Sequence, residues 1–310
     1  MSSILETLSM VISIVEFIMG IFGNGFIVLI NGIDWVRKRK TSLFDFILTS
    51  LASSRLCFLC STFSTITFSL VYGERFYFKS ILMGVSVFWT GSTYSCTACT
   101  TCLTVFYFFK ITNFSSPIFL WMKHRMHMVL LIIVLGSALS FCVSLFFMDT
   151  FINMSVQYWV NRKQNFTFYD TKSLDYLVYY SLLHMALFIS FVVSLSSFLL
   201  LLFSLWNHTK RMKLQGMYSR DSSMEAHVRA MKAMISSLLL FVTNFVSNVM
   251  VMLAYIADSE VAKVFAHLLI FLYPSAHPFL LILWNNKLKH ASLCVLRKLK
   301  CVGVITHSHE

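Results

Sequence analysis

Three polar side chains, Asn24, Arg55 and His277, stand inside long apolar stretches where water cannot solvate them. Arg55 is the most costly of the three. It lies about eleven residues in from the basic end of its stretch, or about 16 Å at 1.5 Å per residue. A guanidinium at that depth costs several kcal/mol unless it faces other protein and is paired. Asn24 and His277 fall at similar depth in two other stretches, so three helices can bring one polar group each into a single layer. Two readings fit: a latch that rearranges between two states, or static hydrogen bonds that hold helix register. Cys96-x-x-Cys99-x-x-Cys102 has a spacing reminiscent of iron–sulfur ligation, but the stretch is apolar and offers no fourth ligand. Small residues for helix packing explain it better. No His-Glu-x-x-His, Gly-x-Ser-x-Gly or Gly-rich phosphate loop occurs. The one Lys of the last apolar stretch, Lys263, lies at its outer edge and not at the depth where a retinal Schiff base would need one. The sequence calls for no catalytic residue, metal or cofactor.

The elements that must position these groups follow from composition. The 310 residues are 57% hydrophobic and only 12% charged, about half the charge of a water-soluble domain. Seven stretches reach the length of a bilayer-spanning helix. They run over about 8–30, 44–70, 81–109, 126–148, 179–205, 230–257 and 261–284, with a basic tail over 285–310. The expected fold is an all-α integral membrane protein: a single seven-helix bundle spanning 1–310. The first span has no Lys or Arg before it and no cleavage site after it, so it reads as a retained helix.

Eighteen Lys and Arg fall in the segments on one side of these spans and six on the other, with Arg55 completing the 25. That asymmetry predicts an N-terminus outside and a C-terminus inside. The net charge of +12 is therefore a property of the inner face, suited to anionic lipid and an acidic partner rather than to nucleic acid. At the inner ends of the third, fifth and sixth spans, Lys110, His208, Lys210, Arg211 and Lys232 form the expected rim of a partner-binding crevice. Among the Asn-x-Ser/Thr sites, Asn153 and Asn165 fall in the long outer loop, about 149–178, where a glycan can be added. Asn113 and Asn207 fall inside.

Trp89 and Thr93 are one turn apart in the third span, and Tyr180, His184 and Phe188 form an i, i+4, i+8 stripe in the fifth. With Asn244 in the sixth and His267 in the seventh, they can line an amphipathic pocket open to the outside. Tyr273–Pro274–Ser275 and His277–Pro278 place two prolines in the seventh span, each of which removes a backbone hydrogen bond.

The motifs EFIMGIFGNGFIVLINGIDW (Glu16–Trp35), LTSLASSR (Leu48–Arg55), FYFFKITNFSSPIFLWMK (Phe106–Lys123), LLLLFSLWNHTKRM (Leu199–Met212), SRDSSMEAHVRAMKA (Ser219–Ala233) and YPSAHPFLLILWNNKLK (Tyr273–Lys289) occur in order along the chain. Together they resemble the type 2 (bitter) taste receptors, a branch of G-protein-coupled receptors. The resemblance implies a plasma-membrane receptor of taste cells and other chemosensory epithelia. It further implies small bitter agonists and a heterotrimeric G protein, gustducin or another of the inhibitory class, leading to phospholipase C and calcium release. Relatives in that family often use a Trp at the Trp89 position for ligand contact, and carry glycan at the position of Asn165. Within the superfamily the alternative is a vomeronasal-type pheromone receptor; from another class, a seven-span transporter.

Overall fold

The computed structural model describes residues 2–72, 79–112, 116–163, 172–214, 222–256 and 259–307, and side chains at most of these positions. Among them are nine helices: α1 (Ser2–Lys38), α2 (Leu43–Tyr72), α3 (Lys79–Ile111), α4 (Pro117–His124), α5 (Met126–Lys163), α6 (Lys172–Leu214), α7 (Ser222–Ile256), α8 (Glu260–Trp284) and α9 (Asn286–His307). Seven have 25 residues or more, and they correspond to the seven expected spans. Six of the seven contain a segment long and apolar enough to cross a membrane.

The exception is α3, and its composition explains why. Ser92, Thr93, Thr97, Thr100, Thr101 and Thr104 lower its hydropathy, yet each hydroxyl donates to the carbonyl four residues back at 2.8–2.9 Å. A hydroxyl satisfied within its own helix needs no water. The helix is then free to occupy a central place, packed against α2, α5 and α6. Ser194 of α6 adds a cross-helix bond, donating to Thr101 at 2.9 Å.

Two boundaries differ from the sequence expectation. The outer loop expected over 149–178 is largely helical, because α5 continues to Lys163 and α6 begins at Lys172. Asn153 thus lies on an exposed helix surface, its amide donating to Asp149 Oδ2 one turn earlier at 3.0 Å. Asn165 lies outside the described residues. The tail expected after Trp284 is also helical. Asn285 ends α8 and starts α9: its N–H donates to Leu281 O at 2.9 Å, while its Oδ1 accepts from the N–H groups of Lys287 and Leu288. An Asn side chain is well suited to that capping role.

Helix α1 meets α8 through a seam of small residues. A Cβ on Gly20 would lie 2.5 Å from Leu59 and 2.9 Å from Ser275 Oγ, and one on Gly23 would lie 2.9 Å from Pro278 Cβ. Gly25 and Gly32, on other faces of the same helix, have nothing within 4 Å. Close helix approach through small residues is how helices gain packing energy in lipid.

Candidate functional site

Pro278 has no N–H, so the carbonyl of Pro274, four residues earlier, loses its helical donor. Asn24 supplies a replacement. Its Nδ2 donates to Pro274 O at 2.9 Å and to Gly20 O, in its own helix, at 2.8 Å. The Gly20–Gly23 seam permits this approach, and the proline kink is thereby sealed by a neighbouring helix.

Arg55 is fully buried in the same layer. Its Nη1 lies 2.9 Å from His277 Nδ1, which must accept, since a guanidinium can only donate. Its Cζ lies 4.6 Å from the ring centroid of Tyr273, one turn before His277. No carboxylate pairs with it among the described residues, and its Nε and Nη2 have no hydrogen-bond partner. A lone pair and a π face are therefore its principal compensation. The structure brings Asn24, Arg55 and His277 together, but not as a direct triad: Asn24 binds the α8 backbone and Arg55 binds the α8 side chain.

Directly beside this layer is a cavity of about 50 Å³. Its lining includes Thr93, Thr97 and Thr100 from α3, Phe191 from α6, Asn244 from α7 and Tyr273 from α8. Thr93 and Asn244, two of the residues expected to line a pocket, both line this cavity. The Asn244 amide has no partner within the described residues and remains available as donor and acceptor. Trp89 is displaced from its expected place: it packs on Phe58 with ring centroids 6.4 Å apart, and Phe58 rather than Trp89 lines the cavity. His184 on α6 and His267 on α8 are helical, and their side chains are outside the described set.

The α6–α7 wall is a stack of rings. Phe191 lies 3.8 Å from Phe245 and 5.3 Å from Phe241, both stacked. The floor is Tyr273, which sequence reading treats only as part of a proline motif. Its ring faces Phe241 edge-on at 6.5 Å, and its hydroxyl sits 3.4 Å from Thr100 Oγ1. One phenol therefore touches the cavity, α3, α7 and the buried Arg55.

At the basic end, Lys287 of α9 binds three side-chain oxygens: Asp34 Oδ2 and Asn31 Oδ1 at 2.8 Å, and Asp45 Oδ1 at 3.2 Å. Asn31 in turn donates to Thr49 Oγ1 at 3.0 Å. This clamp ties α9 to α1 and α2. Partial burial pulls the pKa of Lys287 down, but the hydrogen bonds and charges of Asp34 and Asp45 more than reverse that, leaving it raised. Elsewhere on this face Lys110, Lys210 and Lys232 are exposed, and the side chains of His208 and Arg211 are outside the described set.

A buried arginine without a carboxylate and an α8 with two internal prolines thus stand at the centre of the described helices. A family model described as taste receptor protein (TAS2R) matches residues 1–300. The chain belongs to this family. It is 40% identical to taste receptor type 2 member 8 of Pongo pygmaeus over 94% of the chain and 95% of that protein. It is 39% identical to taste receptor type 2 member 7 of Pan paniscus, over 97% of the chain and 94% of that protein. The same identity relates it to member 7 of Papio hamadryas, over 96% and 95%. Such coverage places the cavity, the polar layer and the Lys287 clamp all within the shared region.

Proposed function

We propose that the chain is a bitter taste receptor, binding small bitter molecules in the α3–α6–α7–α8 cavity and activating a gustducin-type G protein at its basic face. The observation that carries this reading is the shared Tyr273: the floor of the cavity is also the face on which the buried Arg55 rests. An occupant that moves Tyr273 changes the environment of a charge that has no carboxylate to stabilise it.

The cavity's size gives the mechanism a direction. Drug-sized ligands fill sites of about 300–1,000 Å³, far more than the 50 Å³ here. Binding must therefore open the stack of Phe191, Phe241 and Phe245 and part α6 from α7. Separating those helices at their inner ends opens the crevice rimmed by Lys110, His208, Lys210, Arg211 and Lys232, whose charge suits an acidic partner. Asn24, Arg55 and His277 act as the latch that opposes this motion. The aromatic lining and the free Asn244 amide favour flat, largely apolar ligands with one or two hydrogen-bonding groups. Trp89 acts through Phe58, while His184 and His267 contact the ligand nearer the outside. In the cell the receptor resides in the plasma membrane of chemosensory cells, with glycan at Asn165 and Asn153.

The test is calcium mobilisation in cells expressing the chain with a promiscuous G-protein alpha subunit, across a panel of bitter compounds. The expected result is a calcium rise for at least one compound that disappears when the alpha subunit is omitted. Silence at confirmed surface expression, or solute uptake without a G protein, contradicts the reading.

A further inference from the structure

A second, larger recess lies at the basic end, away from the ligand cavity. It has a volume of about 420 Å³ and lies between the last turns of α1 and the start of α9, lined by Ile30, Ile33, Arg37, Lys38, Lys287 and His290, with Asp34 inside it. The charges in it are unequally occupied. Asp34 is bound by Lys287 at 2.8 Å and approached by Lys38 at 3.7 Å, and Lys287 also satisfies Asp45. Arg37 has no hydrogen-bond or ion-pair partner among the described residues. The Lys38 side chain is 70% exposed despite its contact with Asp34. After internal pairing, the recess therefore presents one free guanidinium, one loosely held ammonium and an imidazole.

Its apolar lining is Ile30, Ile33 and Ala291, and an exposed apolar stripe of α1 runs beside it. Leu29, Ile33 and Val36 follow one another at i, i+4 and i+7 on α1 and are exposed by 59%, 41% and 68%. That spacing makes one continuous stripe, running from the spanning part of α1 to the basic recess. An anionic group held by Arg37 and Lys38 would thus have a hydrocarbon track beside it, at the depth where the spanning segment ends.

We propose that this recess binds the phosphorylated headgroup of an inner-leaflet anionic phospholipid, with Arg37 and Lys38 holding phosphate, His290 closing the opposite wall and an acyl chain lying along Leu29, Ile33 and Val36. A guanidinium and an ammonium suit a phosphomonoester, which carries more charge and more acceptor oxygens than a phosphodiester. The stripe favours a lipid over a free phosphate, which would gain nothing from it.

The experiment is native mass spectrometry of the purified full-length receptor, titrated separately with phosphatidylcholine, phosphatidylinositol 4,5-bisphosphate and free inositol 1,4,5-trisphosphate. The receptor should retain the bisphosphate lipid at least tenfold better than phosphatidylcholine. Each basic side chain at a membrane surface contributes about fivefold in affinity, so Arg37→Gln with Lys38→Gln should cost about 25-fold. Arg297→Gln, on an exposed part of α9 outside the recess, should cost much less, and Arg37→Lys should retain most of the binding. Free trisphosphate competing as well as the lipid would support the phosphate site and make a soluble phosphate its ligand. Equal retention of phosphatidylcholine, or equal losses in the Arg37/Lys38 and Arg297 variants, would overturn the site. If the double variant fails to express, Arg37→Gln alone is compared with Arg37→Lys, and equal retention in that pair overturns it.

Discussion

Tyr273 makes two separable contacts with its surroundings, and substitution can separate them. Tyr273→Phe removes only the hydroxyl, whose single described side-chain partner is Thr100 at 3.4 Å. Thr100 keeps its own bond to Cys96 O at 2.9 Å, so the loss should be about 1 kcal/mol or less. Tyr273→Leu removes the ring as well. The guanidinium 4.6 Å from that ring then loses a desolvated cation–π contact of about 2 kcal/mol. Its remaining described hydrogen bond is the one to His277. Loss of the edge contact with Phe241 and of packing volume in a 2%-exposed site adds about 1–2 kcal/mol. The two variants should therefore differ by about 3–4 kcal/mol in the stability of the arrangement around Arg55. The assay is thermal unfolding of purified receptor, paired with basal and agonist-evoked calcium signals normalised to surface expression. Tyr273→Phe should follow wild type, and Tyr273→Leu should unfold at lower temperature and change basal signalling. If both behave alike, the ring is not what holds Arg55, and the link from cavity to latch fails.

The α1–α8 seam gives a matched pair of substitutions. Gly23→Ala forces a Cβ to within 2.9 Å of Pro278 and should reduce folded receptor at the cell surface, at a cost of about 1–3 kcal/mol. Gly25→Ala meets nothing within 4 Å and should leave surface expression unchanged or raise it. Asn24→Ala leaves the Pro274 carbonyl without its donor and should lower the unfolding temperature by the cost of a buried orphan group, about 1–3 kcal/mol. Lys287→Met should loosen α9, read as faster hydrogen exchange at residues 286–292. Because the folded pKa of Lys287 is raised, its contribution is complete below the ordinary lysine value of about 10.4 and fades only as pH rises past the folded value; protection should be unchanged between pH 6 and 9.

Much of this architecture is legible in the sequence because lipid imposes a simple rule on it. Apolar length marks the spans and base asymmetry predicts their direction, so Arg55 announces itself as the one Lys or Arg at mid-depth of a span. The partner of Arg55 on α8 is also legible, since His277 lies at matching depth. Asn24 is legible as a member of the layer but not as the group that seals a proline kink, because that depends on which face of α1 Gly20 and Gly23 present. Trp89 shows the limit of depth arguments: it shares a face of α3 with Thr93, but Phe58 of α2 packs against its ring and takes the place beside the cavity. Tyr273 and the rings of Phe191, Phe241 and Phe245 are hidden among many aromatics, and pattern alone cannot separate a cavity wall from ordinary core. The Lys287 clamp also leaves a signal in the sequence. Asp34 and Asp45 are two of five acids on a side that carries eighteen Lys and Arg, and an acid among so many bases calls for a specific partner.

The most direct test of ligand action in the inner cavity is an agonist dose–response curve for Thr97→Phe, with Asn244→Ala beside it, at matched surface expression. A phenyl group at Thr97 fills the 50 Å³ cavity and should abolish the agonist-evoked rise in calcium above the variant's own basal level. Asn244→Ala removes one hydrogen-bonding group and should weaken potency about 3- to 10-fold. Wild-type potency in both variants would place the ligand elsewhere and contradict the account.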